Sequence, residues 1–496
     1  MTLFKQFLQK APLFVITIPL FIVIHIQLEY GRLIIYHVVM RDIVMLFLPA
    51  LIIFSVTLLL WRNIVKAGVL SALISLFYYF FPDLKDWLWQ LAPHHFISSY
   101  AFLLPLCGLL LILSLVRLIK IKQPPVRTLA FINLLFLLFI CYDLLALIYS
   151  GDRLKDLGDP QKKLSQNYKP CDTCLKPDIY YIIFDAYTSS NALQAYFNFN
   201  NEGLDSFLLN RRFYIVRNST SNYNLTPFSV SGTFNLDYVN KLNTRKDFYM
   251  KEYLPGVQTV YKSELFPILR KEGYHIINNS IFDIDNSPTI IPYDKVWGIN
   301  GLYQRHHLLH KIRSDIGWIF NKYLPSFNHN NTYQEEVELL NNHITTLLKN
   351  LDTAIYSQVA APKFVYTHIL LPHNPFIYDS TGNVFPTPSF TTDRNRYVQQ
   401  VQYTNTIIRK ITDKILDHAS KPVVIILQGD HGFKFWDKDL KKVEFSNLNA
   451  FFFYNQDYSR LYSTQTNVNT FRIIGNTFFN QHFAILPDTS WFLQYR

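Results

Sequence analysis

The chain has 496 residues, 49% of them hydrophobic and only 17% charged, with a formal net charge of +11. Soluble globular proteins usually carry about 25% charged residues, so a wholly water-soluble chain is not expected. No dense Lys/Arg tract follows residue 150, which argues against nucleic acid as a partner and leaves anionic lipid headgroups as the use of the charge.

The apolar excess sits in the first 150 residues, in stretches at about 11–28, 43–61, 64–81, 97–116 and 128–149. Each approaches the roughly 20 residues that span a bilayer core. No small-residue cleavage site follows Leu28, so the first reads as a retained anchor. Lys5, Lys10, Arg62, Lys66, Arg117, Lys120, Lys122 and Arg127 fall in one set of alternating loops. Only Arg32, Arg41 and Lys85 fall in the other. Basic loops stay inside, so the N-terminus is expected in the cytoplasm and everything after about residue 150 outside.

Residues 150–177 are polar and read as a stalk. Cys171 and Cys174 within it form a C-x-x-C that fits a local disulfide better than a redox or zinc site. From 178 to 496, strand and helix patterns alternate, which predicts one α/β domain with a mostly parallel sheet. The strand Ile179–Phe184 ends in Asp185. Phe213–Val216 reads as a strand. The segment from Asn222 to Ser231 places Thr226 before Pro227, as a helix cap with proline at the first helical position. A hydroxyl at a helix N-terminus also suits a nucleophile that must handle an anion.

A helix over 263–271 leads to a strand at 274–277. A helix over 335–350 carries Val337, Leu339, Leu340, Ile344, Leu347 and Leu348 on one face. The strand Phe364–His368 precedes His373, which lies between Pro372 and Pro375 near a second histidine, His368. A helix over 397–416 feeds the strand Val423–Leu427, followed at once by Gln428–Gly429–Asp430–His431–Gly432. Ala450–Tyr454 is one more strand. Ligands of open parallel sheets bind at the carboxyl ends of the strands. Carboxylates and an imidazole there predict a metal site.

Asp185, Thr226-x-x-Ser229, Pro372–His373-x-Pro375 and Asp430–His431–Gly432 occur in the order seen in the sulfatase/alkaline-phosphatase superfamily, which the chain resembles. Five spans before an exported domain resemble its membrane-bound branch, which includes lipoteichoic acid synthases and phosphoethanolamine transferases. The tail around Leu461–Tyr462 and Val468–Arg472 is similar to uncharacterised sulfatase-like membrane proteins. The resemblance implies an α/β alkaline-phosphatase-like domain behind an all-α membrane bundle in a bacterial inner membrane. It implies that Asp185, Thr226, Asp430 and His431 hold one divalent ion (Mn, Mg or Zn), that Thr226 is the nucleophile, and that His373 assists the transferred group. His368 and Lys434 are expected as subsidiary substrate contacts.

The expected activity is transfer of phosphoglycerol or phosphoethanolamine from a membrane phospholipid to an envelope glycan or lipid. A catalytically silent lipid-binding or regulatory relative is the alternative. Sulfate-ester hydrolysis is less expected: Thr226 stands where sulfatases carry a Cys or Ser converted to formylglycine, and no arginine follows at the family spacing. Phe433 to Phe445 lacks the further histidines of phosphoethanolamine transferases, so one metal is expected.

Overall fold

The computed structural model describes residues 7–30, 36–92, 95–123, 125–150, 164–239, 247–248, 256–257, 259–284, 287–289, 306–320, 329–387, 392–434 and 438–495. It divides into two compact units, Met1–Arg153 with Asp294–His329, and Leu154–Tyr293 with Asn330–Arg496.

The first unit is helical. Phe14–Tyr30, Tyr36–Trp61, Ile64–Leu91, Tyr100–Lys120 and Val126–Ser150 cover the five apolar stretches. Ile64–Trp89, Tyr100–Lys120 and Val126–Ile148 are long and apolar enough to cross a membrane, while the apolar helices Phe14–Leu28 and Leu46–Trp61 are shorter. Polar groups tie the bundle where hydrocarbon would leave them unsatisfied. Asn133 accepts from the Phe14 amide at 3.1 Å and donates to the Leu8 and Ala11 carbonyls. His25 pairs with Asp143 at 3.0 Å.

The third helix runs on to Leu91, well past the expected end near residue 81, with Pro82 inside it. Its polar tail is held by a helix not foreseen from local pattern, Leu308–Phe320. Lys311 pairs with Asp86 at 2.8 Å, and His306 approaches Asp83 at 3.3 Å. The helix Leu308–Phe320, expected within one domain over 178–496, thus groups with the first unit.

The second unit is built on a six-stranded sheet. Its order is Tyr214–Ile215, Asn449–Phe453, Val423–Gln428, Asp178–Phe184, Lys363–Ile369 and His275–Asn279. The last four strands are mutually parallel, and the first two pair antiparallel. Continuous apolar runs such as Ile179–Phe184 mark strands covered on both faces, and all seven residues of Asp178–Phe184 are buried. The long helices His329–Tyr356 and Arg394–His418 contribute Leu340, Ile344 and Leu347, and Val401, Ile408 and Ile415, to the core.

On the first of these the inward face differs from the expected one. Leu339 is 40% exposed, and His343 takes the inward position, because a 3.6-residue period through 340, 344 and 347 also passes through 343.

The segment read as a stalk is described from Leu164 onward, and there it packs on the second unit. Tyr168 donates to Glu272 at 2.5 Å, the Cys171 amide donates to the same carboxylate, and Lys176 pairs with it at 2.9 Å. Cys171 and Cys174 are disulfide-bonded.

Candidate metal centre and nucleophile

Strand register brings the site together. Ile183 lies beside both His368 and Gln428 in the parallel ladder, so Asp185, His368 and the Gly429–Gly432 turn emerge at one sheet edge. Ligand atoms of Asp185, Asp430 and His431 lie within 4.8 Å of one another, and all three residues are buried. Asp185 Oδ1 and Asp430 Oδ2 have no hydrogen-bond partner. Two buried carboxylate oxygens left unpaired at one point are costly unless a cation completes them.

His431 completes the set. Its Nδ1 donates to the Gly432 carbonyl at 2.7 Å, which leaves the Nε2 lone pair facing Asp430 Oδ2 at 3.5 Å and Asp185 Oδ1 at 3.8 Å. These donors fit a divalent ion.

The turn carrying Asp430 and His431 needs its glycines. A Cβ on Gly429 would lie 2.7 Å from the Tyr187 carbonyl oxygen, and one on Gly432 2.5 Å from that of Ser446. Opposite, Ala186 adopts φ +59°, a left-handed conformation uncommon without glycine. That conformation turns its amide onto Asp430 Oδ1 at 3.0 Å. Tyr397 locks the two loops: its hydroxyl donates to the Ala186 carbonyl or to Thr188 Oγ1, both at 2.8 Å, and Thr188 Oγ1 accepts the Phe433 amide.

Thr226 is the first residue of the helix Thr226–Asn235, with Leu225 as its cap and Pro227 next. This corrects the reading of Thr226 as the cap itself. Its hydroxyl makes no capping bond; Oγ1 lies 3.4 Å from His431 Nε2. Ser229, one turn on, donates to the Asp430 carbonyl at 2.6 Å and so braces the turn. Ser231 is bonded to Thr259, away from the centre. The Val468–Arg472 tail supports the same parts from behind: Thr470 accepts from Gln428 Nε2, and Arg472 donates to the Leu236 carbonyl beyond the Thr226 helix.

Three further polar residues surround the centre. His368 Nε2 donates to Asp185 Oδ2 at 3.3 Å while Nδ1 lies 2.9 Å from the Tyr366 hydroxyl. It therefore buttresses the Asp185 carboxylate. The His373 ring lies 6.3 Å from that of His431, and Nδ1 donates to the Asn374 carbonyl at 2.5 Å. Lys434 stands close enough to act electrostatically on His373.

Burial pushes the Asp185 carboxyl up, but the surrounding imidazoles of His373, His368 and His431, with the hydrogen bond from His368, together hold it below the ordinary carboxylate range. It is ionised at neutral pH. His373 is lowered, first by burial and then by Lys434 and His431, against the pull of Asp185. Its neutral ring is the form that accepts a proton.

Sequence reading missed Gln400. Fully buried, it accepts the Ile377 and Tyr378 amides through Oε1 and donates to the His373 carbonyl through Nε2 at 2.8 Å. The signal was present: Tyr397, Gln400 and Thr404 interrupt the apolar face of a long amphipathic helix, and buried polar groups need partners.

The model of the sulfatase family matches residues 208–477, just over half of the chain. The chain belongs to that family and is an enzyme acting on phosphate or sulfate esters. No curated protein matches it. Among solved structures it is similar to the integral membrane lipooligosaccharide phosphoethanolamine transferase A (EptA) of Neisseria meningitidis. That match has 12% identity and a TM-score of 0.38 over 91% of this chain and 94% of that one. It is also similar to the C-terminal periplasmic domain of EptC from Escherichia coli, with 11% identity and a TM-score of 0.39 over 65% of this chain and 88% of that one.

Proposed function

We propose that the protein is a membrane-bound, metal-dependent transferase. It moves a phospho-alcohol group, phosphoglycerol or phosphoethanolamine, from a phospholipid to an envelope glycan or lipid. The observation that carries this reading is the Thr226 hydroxyl, placed at a helix start 3.4 Å from His431 Nε2 beside two unpaired carboxylate oxygens. Asp185, Thr226, Asp430 and His431 would hold one divalent ion. Bound there, it would supply Lewis-acid stabilisation of the phosphoryl oxygens and of a deprotonated threonine.

Thr226 Oγ1 attacks the donor phosphorus and forms an O–P bond as the bond to the diacylglycerol oxygen breaks. The threonine proton passes through the His373 side of the site to that leaving oxygen. The acceptor hydroxyl then attacks phospho-Thr226, giving up its proton and restoring the threonine. Threonine cannot be converted to formylglycine, which favours phosphate over sulfate esters. A bilayer-resident donor accounts for a catalytic unit continuous with apolar helices. The Cys171–Cys174 disulfide agrees with an extracytoplasmic, periplasmic location beyond a bacterial inner membrane.

Intact mass spectrometry of the full chain incubated with phosphatidylglycerol or phosphatidylethanolamine tests the reading. A phosphoglycerol or phosphoethanolamine adduct mapping to Thr226 is expected. Absence of any adduct with either lipid, in protein shown to hold metal, would favour a catalytically silent relative.

A further inference from the structure

We infer that Lys85, near the end of the long helix Ile64–Leu91, anchors a binding site for the phosphate of a bilayer phospholipid, separate from the metal centre. Lys85 is only 7% exposed, and lysine is almost never buried unless paired. Its ammonium lies 4.9 Å from the Trp89 ring centroid and 5.3 Å from that of Tyr100. Two ring faces offset part of the desolvation cost, but they leave an ammonium with three N–H donors short of strong acceptors. Among the described residues, no carboxylate or carbonyl is bonded to it.

The nearby acids are already engaged. Asp86 pairs with Lys311 at 2.8 Å, His306 lies against Asp83 at 3.3 Å, and Asp315 accepts from the Tyr100 hydroxyl at 2.8 Å. Lys85 is therefore left without a direct carboxylate partner of its own. Lys66, at the opposite end of the same helix, differs: its ammonium donates to the Ile121 carbonyl at 2.7 Å.

Position selects the ligand. Lys85 lies in the last turns of an apolar span that ends at Trp89, and Trp87, Trp89, Leu91 and Phe96 around it are 40–64% exposed. Large aromatic side chains gather at the depth of lipid headgroups. A phosphodiester there presents anionic oxygens to the ammonium while its acyl chains lie along the exposed apolar side chains. The inference does not rest on the catalytic reading.

The test is native mass spectrometry of the full chain in detergent with added phosphatidylglycerol or phosphatidylethanolamine. It compares wild type with Lys85→Met, Lys85→Arg and Lys66→Met. Inorganic phosphate serves as a competitor. Loss of one charge-assisted contact should lower occupancy of one bound lipid roughly tenfold or more in Lys85→Met. Lys85→Arg and Lys66→Met should retain the lipid, and inorganic phosphate should not displace it. In wild type, a phospholipid with a photoreactive headgroup should label the stretch 84–100, a readout that stands if Lys85→Met does not fold. Equal occupancy in wild type and Lys85→Met, or labelling confined to other segments, would overturn the site. Displacement by inorganic phosphate would assign it to a free anion, and equal loss in Lys66→Met would reduce it to general charge attraction.

Discussion

The structural role of Thr226 and its proposed role as nucleophile are separable, and their energies differ enough to test. As the first helical residue with no side-chain capping bond, its hydroxyl contributes little to folding. Thr226→Ala should shift stability by less than the roughly 1 kcal/mol typical of a lost cap. Loss of the attacking oxygen should lower transfer by orders of magnitude, because the covalent intermediate cannot form. Rates measured with a labelled phospholipid, beside a thermal midpoint, check both halves. Full activity in Thr226→Ala would remove it as the nucleophile. His373→Ala should cost about 10²–10⁴-fold, the usual worth of general acid–base help, with metal content unchanged. A metal-free His373→Ala protein would instead make it a ligand.

The helix His329–Tyr356 turns His343 inward on the same face as Leu340, Ile344 and Leu347, with a consequence for acid stability. Neither ring nitrogen of His343 has a hydrogen-bond partner. Burial and the nearby His368 lower its pKa to about 4 from an ordinary 6.5. The unfolded chain therefore takes up this proton first as pH falls. The contribution to stability is full above about 6.5, shrinks on the way down and levels off below about 4. At roughly 1.4 kcal/mol per pH unit, the loss across that window is about 3 kcal/mol. Denaturation of wild type and His343→Leu at pH 7 and pH 4.5 should show a shallower acid loss in the variant. Parallel losses would mean the histidine is already protonated in the folded state.

The helix Arg394–His418 works differently. Its buried Tyr397, Gln400 and Thr404 all have hydrogen-bond partners, and Tyr397 and Gln400 fix the loops that carry Ala186, Phe433 and His373. Gln400→Leu would strand two amides and a carbonyl. It should lower transfer about as much as His373→Ala while leaving bound metal in place, measured as rate and metal content on one preparation.

At the level of the whole molecule, the Lys/Arg asymmetry of alternate loops predicts an orientation across the bilayer that can be tested. A reporter active only outside the cytoplasm should be active when fused after Tyr168 and silent when fused after Gln123. The reverse pattern would place the metal centre in the cytoplasm, where no envelope acceptor exists, and would end the transferase reading.

Much of this architecture was legible in one dimension. Apolar stretches of bilayer length and strands buried on both faces are local signals, because each depends on residues adjacent in the chain. That Asp185, Asp430 and His431 lie together was legible too, since side chains directly after such strands emerge at the same sheet edge. Local pattern did not reveal the helix Leu308–Phe320, whose charged partner Asp86 lies more than two hundred residues away. Nor did it reveal that His368 supports Asp185, that Gln400 holds the His373 loop, or that His343 faces inward without a partner. Each of these depends on which side chain lies opposite across a packed interface. That choice is made by strand register and helix rotation, because a buried polar atom must find its partner wherever the folded chain happens to bring one.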